Sequence, residues 1–264
     1  MINVIRSEWI KFRTIRMNRV LGFVAVALPV VITVLYAALA KTEDFSTTSS
    51  GAAVLRRPPT AEDVFRLLTS TSIIMVMLVG VIGASAITGE FSTNTIRPTF
   101  AATPRRLRVV FAKVVVTKLA VAVIAAVVVG VSLAAASAIL DARGSTDSFA
   151  DVHNLPVAAV GMVIFAIIVG LFGLAVGLLV KSTPAAIAVV VLWPLLIENL
   201  IGILLEAIGV TNAGKWLPYR AGGALFRLED ADRVLSRWAG GGLFLGLVVV
   251  LLALGTFVTS RRDA

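Results

Sequence analysis

Gly89–Lys113, GEFSTNTIRPTFAATPRRLRVVFAK, is a cationic island between two long apolar runs. It carries Arg97, Arg105, Arg106, Arg108 and Lys113 against the single acid Glu90, so it cannot rest in hydrocarbon. It belongs in water, on the side of a membrane that favours cations. The segment is too short to cross a bilayer. Two prolines (Pro98, Pro104) and the capping residues Ser92, Thr93 and Thr103 suit a helix or two, which predicts a small structured knob offered to the cytoplasm.

The flanks of that island set the class. The 264 residues are 58% hydrophobic and only 15% charged, with a mean hydropathy of +0.98. An ordinary soluble domain is roughly 45–50% apolar, so the chain reads as an all-α, polytopic integral membrane protein. In such a chain a net charge of +9 reports loops held on the cytoplasmic side, not nucleic-acid binding. With no cysteine there is no disulfide, thiolate nucleophile or zinc–thiolate site. The amino-terminal stretch, polar and basic, does not read as a cleavable signal.

Residues 1–19 place Ile2, Ile5, Trp9 and Phe12 at helical spacing, with Lys11, Arg13, Arg16 and Arg19 over the rest. This suits an amphipathic helix in the headgroup plane, Trp9 at the boundary and Lys11 and Arg13 toward anionic lipid; a plain basic flank orienting the first span fits equally well. Six runs then reach the length of about 20 apolar residues that a spanning helix needs: 20–40, 69–88, 114–140, 155–180, 184–208 and 239–259. Pro29 and Pro194 fall inside the first and fifth, as kinks that membrane helices tolerate, and the fifth could be a broken or re-entrant pair. Lys118 is near enough to the end of the third to snorkel.

An even number of spans puts both termini on one side. That side holds 1–19, 89–113, the turn at 181–183 and the tail 260–264, with thirteen cations against three acids. The loops 41–68, 141–154 and 209–238 hold ten of each over a greater length. Cation density therefore predicts cytoplasmic termini. Loop 41–68 reads as polar and mobile. Gly173–Gly177 and Gly242–Gly246, with Gly170 and Gly80–Gly83, are expected at close helix packing.

The search for chemistry returns little. His153 stands alone in an outer loop, too few ligands for zinc. Gly209–Lys215 spells seven positions of a phosphate loop but puts Trp216 where Ser or Thr must meet magnesium. Glu198 and Glu206, with Asn199, are the ionisable and polar groups inside a span. They suggest either an intramembrane proton or cation contact or a structural role, the latter preferred.

Three stretches carry a resemblance: SEWIKFRTIR at 7–16, ITGEFSTNTIRPTFAATPRRLRVVFAK at 87–113 and KWLPYRAGGALF at 215–226. With the six-span layout, the chain resembles the membrane subunit of an ABC-type transporter, of the bacterial type-2 exporter-like permease class. The resemblance implies a half-transporter in the plasma membrane, paired with a second, identical or different, permease subunit. A separate cytoplasmic ATPase dimer would bind ATP and Mg; this chain itself would hold no cofactor and catalyse nothing.

By that analogy 89–113 is the coupling segment, with Glu90, Thr95, Ile96, Arg97, Pro104, Arg105 and Arg106 in the matching motif. The arginines would pair with acids on the ATPase or with lipid phosphates, and Glu90 would clamp the adjoining helix. The outer stretch 209–238 is expected to be partly helical and to dip back toward the membrane. The cargo would be hydrophobic or amphipathic. A non-transporting anchor, immunity or assembly factor of the same fold, or an ion-driven carrier using Glu198 and Glu206, are the alternatives.

Overall fold

The computed structural model of the chain describes all residues except 49–50, 93–105, 146, 211, 230–234 and 262–264. Helix α1 (Ile2–Thr14) ends at Ile15, whose extended backbone (φ −66°, ψ 118°) turns the chain into α2 (Arg16–Leu39). An antiparallel hairpin follows, β1 (Thr42–Thr48) on β2 (Gly51–Arg57), with Thr42 opposite Arg57. Then come α3 (Ala61–Ser92), α4 (Arg106–Ala142), α5 (Leu155–Val180) and α6 (Thr183–Leu192). A π-helical turn (Trp193–Ile197) leads into α7 (Glu198–Ala207). Short turns flank α8 (Pro218–Gly222), and α9 (Arg237–Arg261) closes the chain.

Among the described residues, six helical segments are long and apolar enough to cross a membrane: 16–39, 61–92, 107–142, 155–180, 183–207 and 237–259. The protein is thus an all-α polytopic bundle with one small hairpin appended. Two starts differ from expectation. The second span begins at Ala61, not 69, because Thr60 and Asp63 cap it reciprocally: Thr60 N–H donates to Asp63 Oδ2 (3.0 Å) and Asp63 N–H to Thr60 Oγ1 (3.1 Å). The third begins at Arg106, not 114. Hydropathy sees the apolar middle of a helix and misses polar turns that continue it. Loop 41–68 accordingly holds a hairpin and a helix start, where a mobile loop was expected.

The fifth span is one continuous path, not a re-entrant pair. Pro194 has no N–H to give to the fourth carbonyl back, and the helix widens there until Glu198 N–H bonds Trp193 O.

The core is the crossing of α3 and α5. A Cβ on Gly83 would stand 1.9 Å from Gly170 O, and one on Gly173 would stand 1.9 Å from Gly80 O. The two backbones therefore touch, and only glycine fits at positions 83 and 173. Around this pair α5 is buried over 72% of its apolar window, while the fifth span is buried over 17%. The peripheral spans turn most of their surface outward, to lipid or another chain. Gly242 and Gly246, expected at packing, are exposed with nothing within reach of a Cβ. Gly240, about 200° round the helix from Gly242 at 100° per residue, packs instead, its Cβ position 2.1 Å from Ala221 O, as does Gly241 against Leu225.

Residues 213–228 fold back into the bundle. Tyr219, Ala221, Ala224 and Leu225 are buried, and Gly161 of α5 lies against Leu225 O. Tyr219 meets Phe165 edge-on (5.8 Å between centroids) and Phe244 at 4.9 Å. At the same end Arg143 donates to Ala37 O (2.6 Å) and Ala40 O (2.9 Å), satisfying the last carbonyls of α2.

Candidate functional site

The two helices that flank residues 93–105 come together with α1 at one end of the bundle, and four charges meet there. Lys113, in the second turn of α4, points its ammonium between α1 and α3. It donates to Glu8 Oε2 (2.7 Å), Glu90 Oε1 (2.9 Å) and Ala86 O (2.9 Å). Lys11 donates to Glu8 Oε1 (2.8 Å) and to Glu90 Oε1 (2.9 Å). Glu8 and Lys113 are almost wholly buried, Glu90 is 12% exposed and Lys11 faces the rim at 41%.

The tetrad sets the titration of α1. Burial alone would raise the Glu8 carboxyl, but Lys113 and Lys11 together outweigh it and hold the group below its ordinary value of 4.5. Burial would lower Lys11, but its bonds to Glu8 and Glu90 raise it above 10.5. A depressed acid stabilises docking above 4.5 and loses that contribution as pH falls through its lowered value. A raised lysine stabilises docking below 10.5 and loses it as pH rises through the raised value. The attachment of α1 should be flat between these limits and fail outside them. The chain has no cysteine, so a spin label at Ser7→Cys, an exposed position, reads this directly. Label mobility that changes steadily across neutral pH would contradict it.

A cavity of about 440 Å³ lies beside the tetrad, walled by Phe12, Ile15, Asn18, Ser85, Val116 and Thr117 together with the charged groups. Asn18 is buried and accepts a bond from Ser85 Oγ at 3.1 Å. Glu90 Oε2 and Thr117 Oγ1 are buried with no hydrogen-bond partner.

Of the residues singled out in the sequence, Glu90 and Lys11 are brought together here. Thr95, Ile96, Arg97, Pro104 and Arg105 lie outside the described residues, and Arg106 opens α4 with its side chain likewise outside. Trp9 is exposed and stacks with Phe12 (6.2 Å), and Arg13 is exposed. Glu8 is the buried residue of α1; of the apolar stripe Ile5 and Phe12 are half-buried, Phe12 lining the cavity, while Ile2 and Trp9 are exposed. Glu8 and Lys113 were counted only as topology charges. The available signal was scarcity: Glu8 and Glu90 are two of only three acids in the cation-rich segments 1–19, 89–113, 181–183 and 260–264.

Glu198 and Glu206 are not brought together. Glu198 is buried, and its carboxylate accepts from Tyr219 N–H (2.7 Å), Arg220 N–H (3.2 Å) and Trp193 Nε1 (3.1 Å). It pins the folded-back outer stretch to the fifth span. Glu206, expected near the same face, is exposed in the last turn of α7; eight residues at 100° leave it about 80° away from Glu198. Asn199 is exposed, accepting from Arg220 Nη2 at 2.8 Å. Lys181, in the two-residue turn between α5 and α6, sits over the Phe91 ring at 5.3 Å, at the tetrad's end of the bundle.

No family model matches the chain, and no curated protein matches it.

Proposed function

We propose that the chain is the membrane-spanning subunit of an ATP-driven transporter, similar to the type-2 exporter-like ABC permeases, exporting a hydrophobic or amphipathic cargo. The observation that carries this reading is the charged tetrad. It fastens the interfacial helix to the two helices that lead into and out of the cationic segment 93–105. A partner that shifts that segment would therefore shift α1 and the feet of three spans together, which is what coupling to an external motor requires. The motor is a cytoplasmic ATPase dimer carrying ATP and Mg, and the pathway forms with a second permease subunit. Both termini and the tetrad face the cytoplasm of a cell whose plasma membrane holds the chain.

A second cavity of about 320 Å³ has apolar walls from Ile73, Val76, Phe165 and Phe226 and a polar side that includes Glu198, Asn199 and Arg220, which suits an amphipathic cargo. The ion-driven alternative has less support, since Glu198 is engaged by three donors and Glu206 stands apart from it. A non-transporting anchor of the same fold shares the tetrad and is separated by experiment. Co-expression with the ATPase of a neighbouring reading frame should give a stable complex whose ATP turnover rises with the intact chain. Arg97→Glu should abolish the rise. An ATPase that never co-purifies, or a label at position 97 that reacts only from outside, defeats the proposal.

A further inference from the structure

The hydrogen-bond inventory of the tetrad is unbalanced in an informative way. Lys113 spends all three N–H donors, and each oxygen of Glu8 accepts one bond. Lys11 spends two of three donors, leaving one at the half-exposed rim. Glu90 Oε1 accepts two bonds while Oε2, buried against the cavity, accepts none. Two carboxylates and two ammonium groups make the cluster formally neutral. It nevertheless keeps one uncommitted cationic donor, on Lys11, and one uncommitted anionic acceptor, on Glu90, and both residues line the same 440 Å³ cavity.

A ligand with a single charge would satisfy one and leave the cluster with net charge in a largely buried place, which is unfavourable. A zwitterion satisfies both. We propose that the cavity beneath α1 binds a zwitterionic amphiphile bearing a primary ammonium group, the headgroup chemistry of phosphatidylethanolamine. The ammonium donates to Glu90 Oε2 and to Thr117 Oγ1, whose side chain is 1% exposed, unpartnered and part of the same cavity lining. A phosphate oxygen accepts the third N–H of Lys11. The apolar body leaves past Phe12, Ile15 and Val116.

The position fits the ligand. The cavity opens where α2 begins, α3 ends and α4 enters its apolar stretch, which is the depth of phospholipid headgroups. The chemistry also discriminates. A quaternary choline ammonium has no N–H and can give Glu90 Oε2 nothing, so phosphatidylcholine of equal charge should be rejected. The site does not depend on the transporter reading, because it uses only residues of this chain and a membrane component.

The test uses the purified full chain in micelles offered equal phosphatidylethanolamine and phosphatidylcholine, with retained lipid counted by native mass spectrometry. Retention of phosphatidylethanolamine is expected to exceed phosphatidylcholine about tenfold, the worth of one charge-assisted hydrogen bond. Thr117→Val should reduce the preference about fivefold, while the Ser7→Cys label reports α1 still docked. Glu90→Gln should abolish it. Soluble phosphoethanolamine that displaces the lipid, or binds in its place, supports the same chemistry drawn from solution. Equal retention of the two lipids by the unaltered chain, or a preference untouched by both substitutions, overturns the proposal.

Discussion

Replacing Lys113 with Met is expected to release α1 from the bundle. The substitution keeps most of the side-chain volume but strands Glu8 and Glu90, both largely buried, on the single remaining cation Lys11. Breaking a buried ion pair by removing one partner costs about 3–5 kcal/mol. Two carboxylates share the loss here, and Ala86 O loses its donor as well. The change should appear as a freely tumbling label at position 7 and as early loss of the fold in denaturant. Glu8→Gln should cost less, because Lys113 keeps Glu90. The double variant Glu8→Gln with Lys113→Met should recover part of the loss, with a coupling of roughly 1–3 kcal/mol. A Lys113→Met protein as stable as the parent would show that the tetrad is not what holds α1.

The second large effect is at the α3–α5 crossing. Gly83→Val and Gly173→Val each push a β-carbon into a carbonyl oxygen 1.9 Å away, where no rotamer can relieve the clash because the opposing atom is backbone. Overpacking ordinarily costs 1–3 kcal/mol and occasionally more. With the two most buried spans forced apart along their length, either variant should fail to accumulate in the membrane. Gly246→Val, exposed and unopposed, should stay within about 0.5 kcal/mol of the parent. A Gly173→Val chain that accumulates with a normal unfolding midpoint would refute the close crossing.

Much of the fold was legible because burial in lipid writes itself as uninterrupted apolar length. Six spans follow from that alone, and the structure has six such helices. Their ends were less legible: Glu62, Asp63 and Arg66 belong to α3 yet read as loop, since polarity there reflects leaving the bilayer and not leaving the helix. The glycine pairs show the same limit. Spacing announced that something small recurs, correctly for Gly80, Gly83, Gly170 and Gly173, but could not say which face of α9 meets a neighbour. The tetrad was hidden for a different reason. Lys113 is 105 positions from Glu8, and Lys11 is 79 from Glu90, so no local pattern joins them. Only the three-dimensional return of α1 onto α3 and α4 does.

The single extended residue Ile15 has a mechanical consequence. Below it α1 is fastened by charges, and at the far tip of α2 the Arg143 fork grips Ala37 O and Ala40 O. The rod is moored at both ends and packs between them through Ala25, Pro29 and Thr33. It cannot slide along its axis: a shift of one turn, about 5.4 Å, would tear both moorings at once. Any stroke this protein makes must treat α2 as a strut of fixed length.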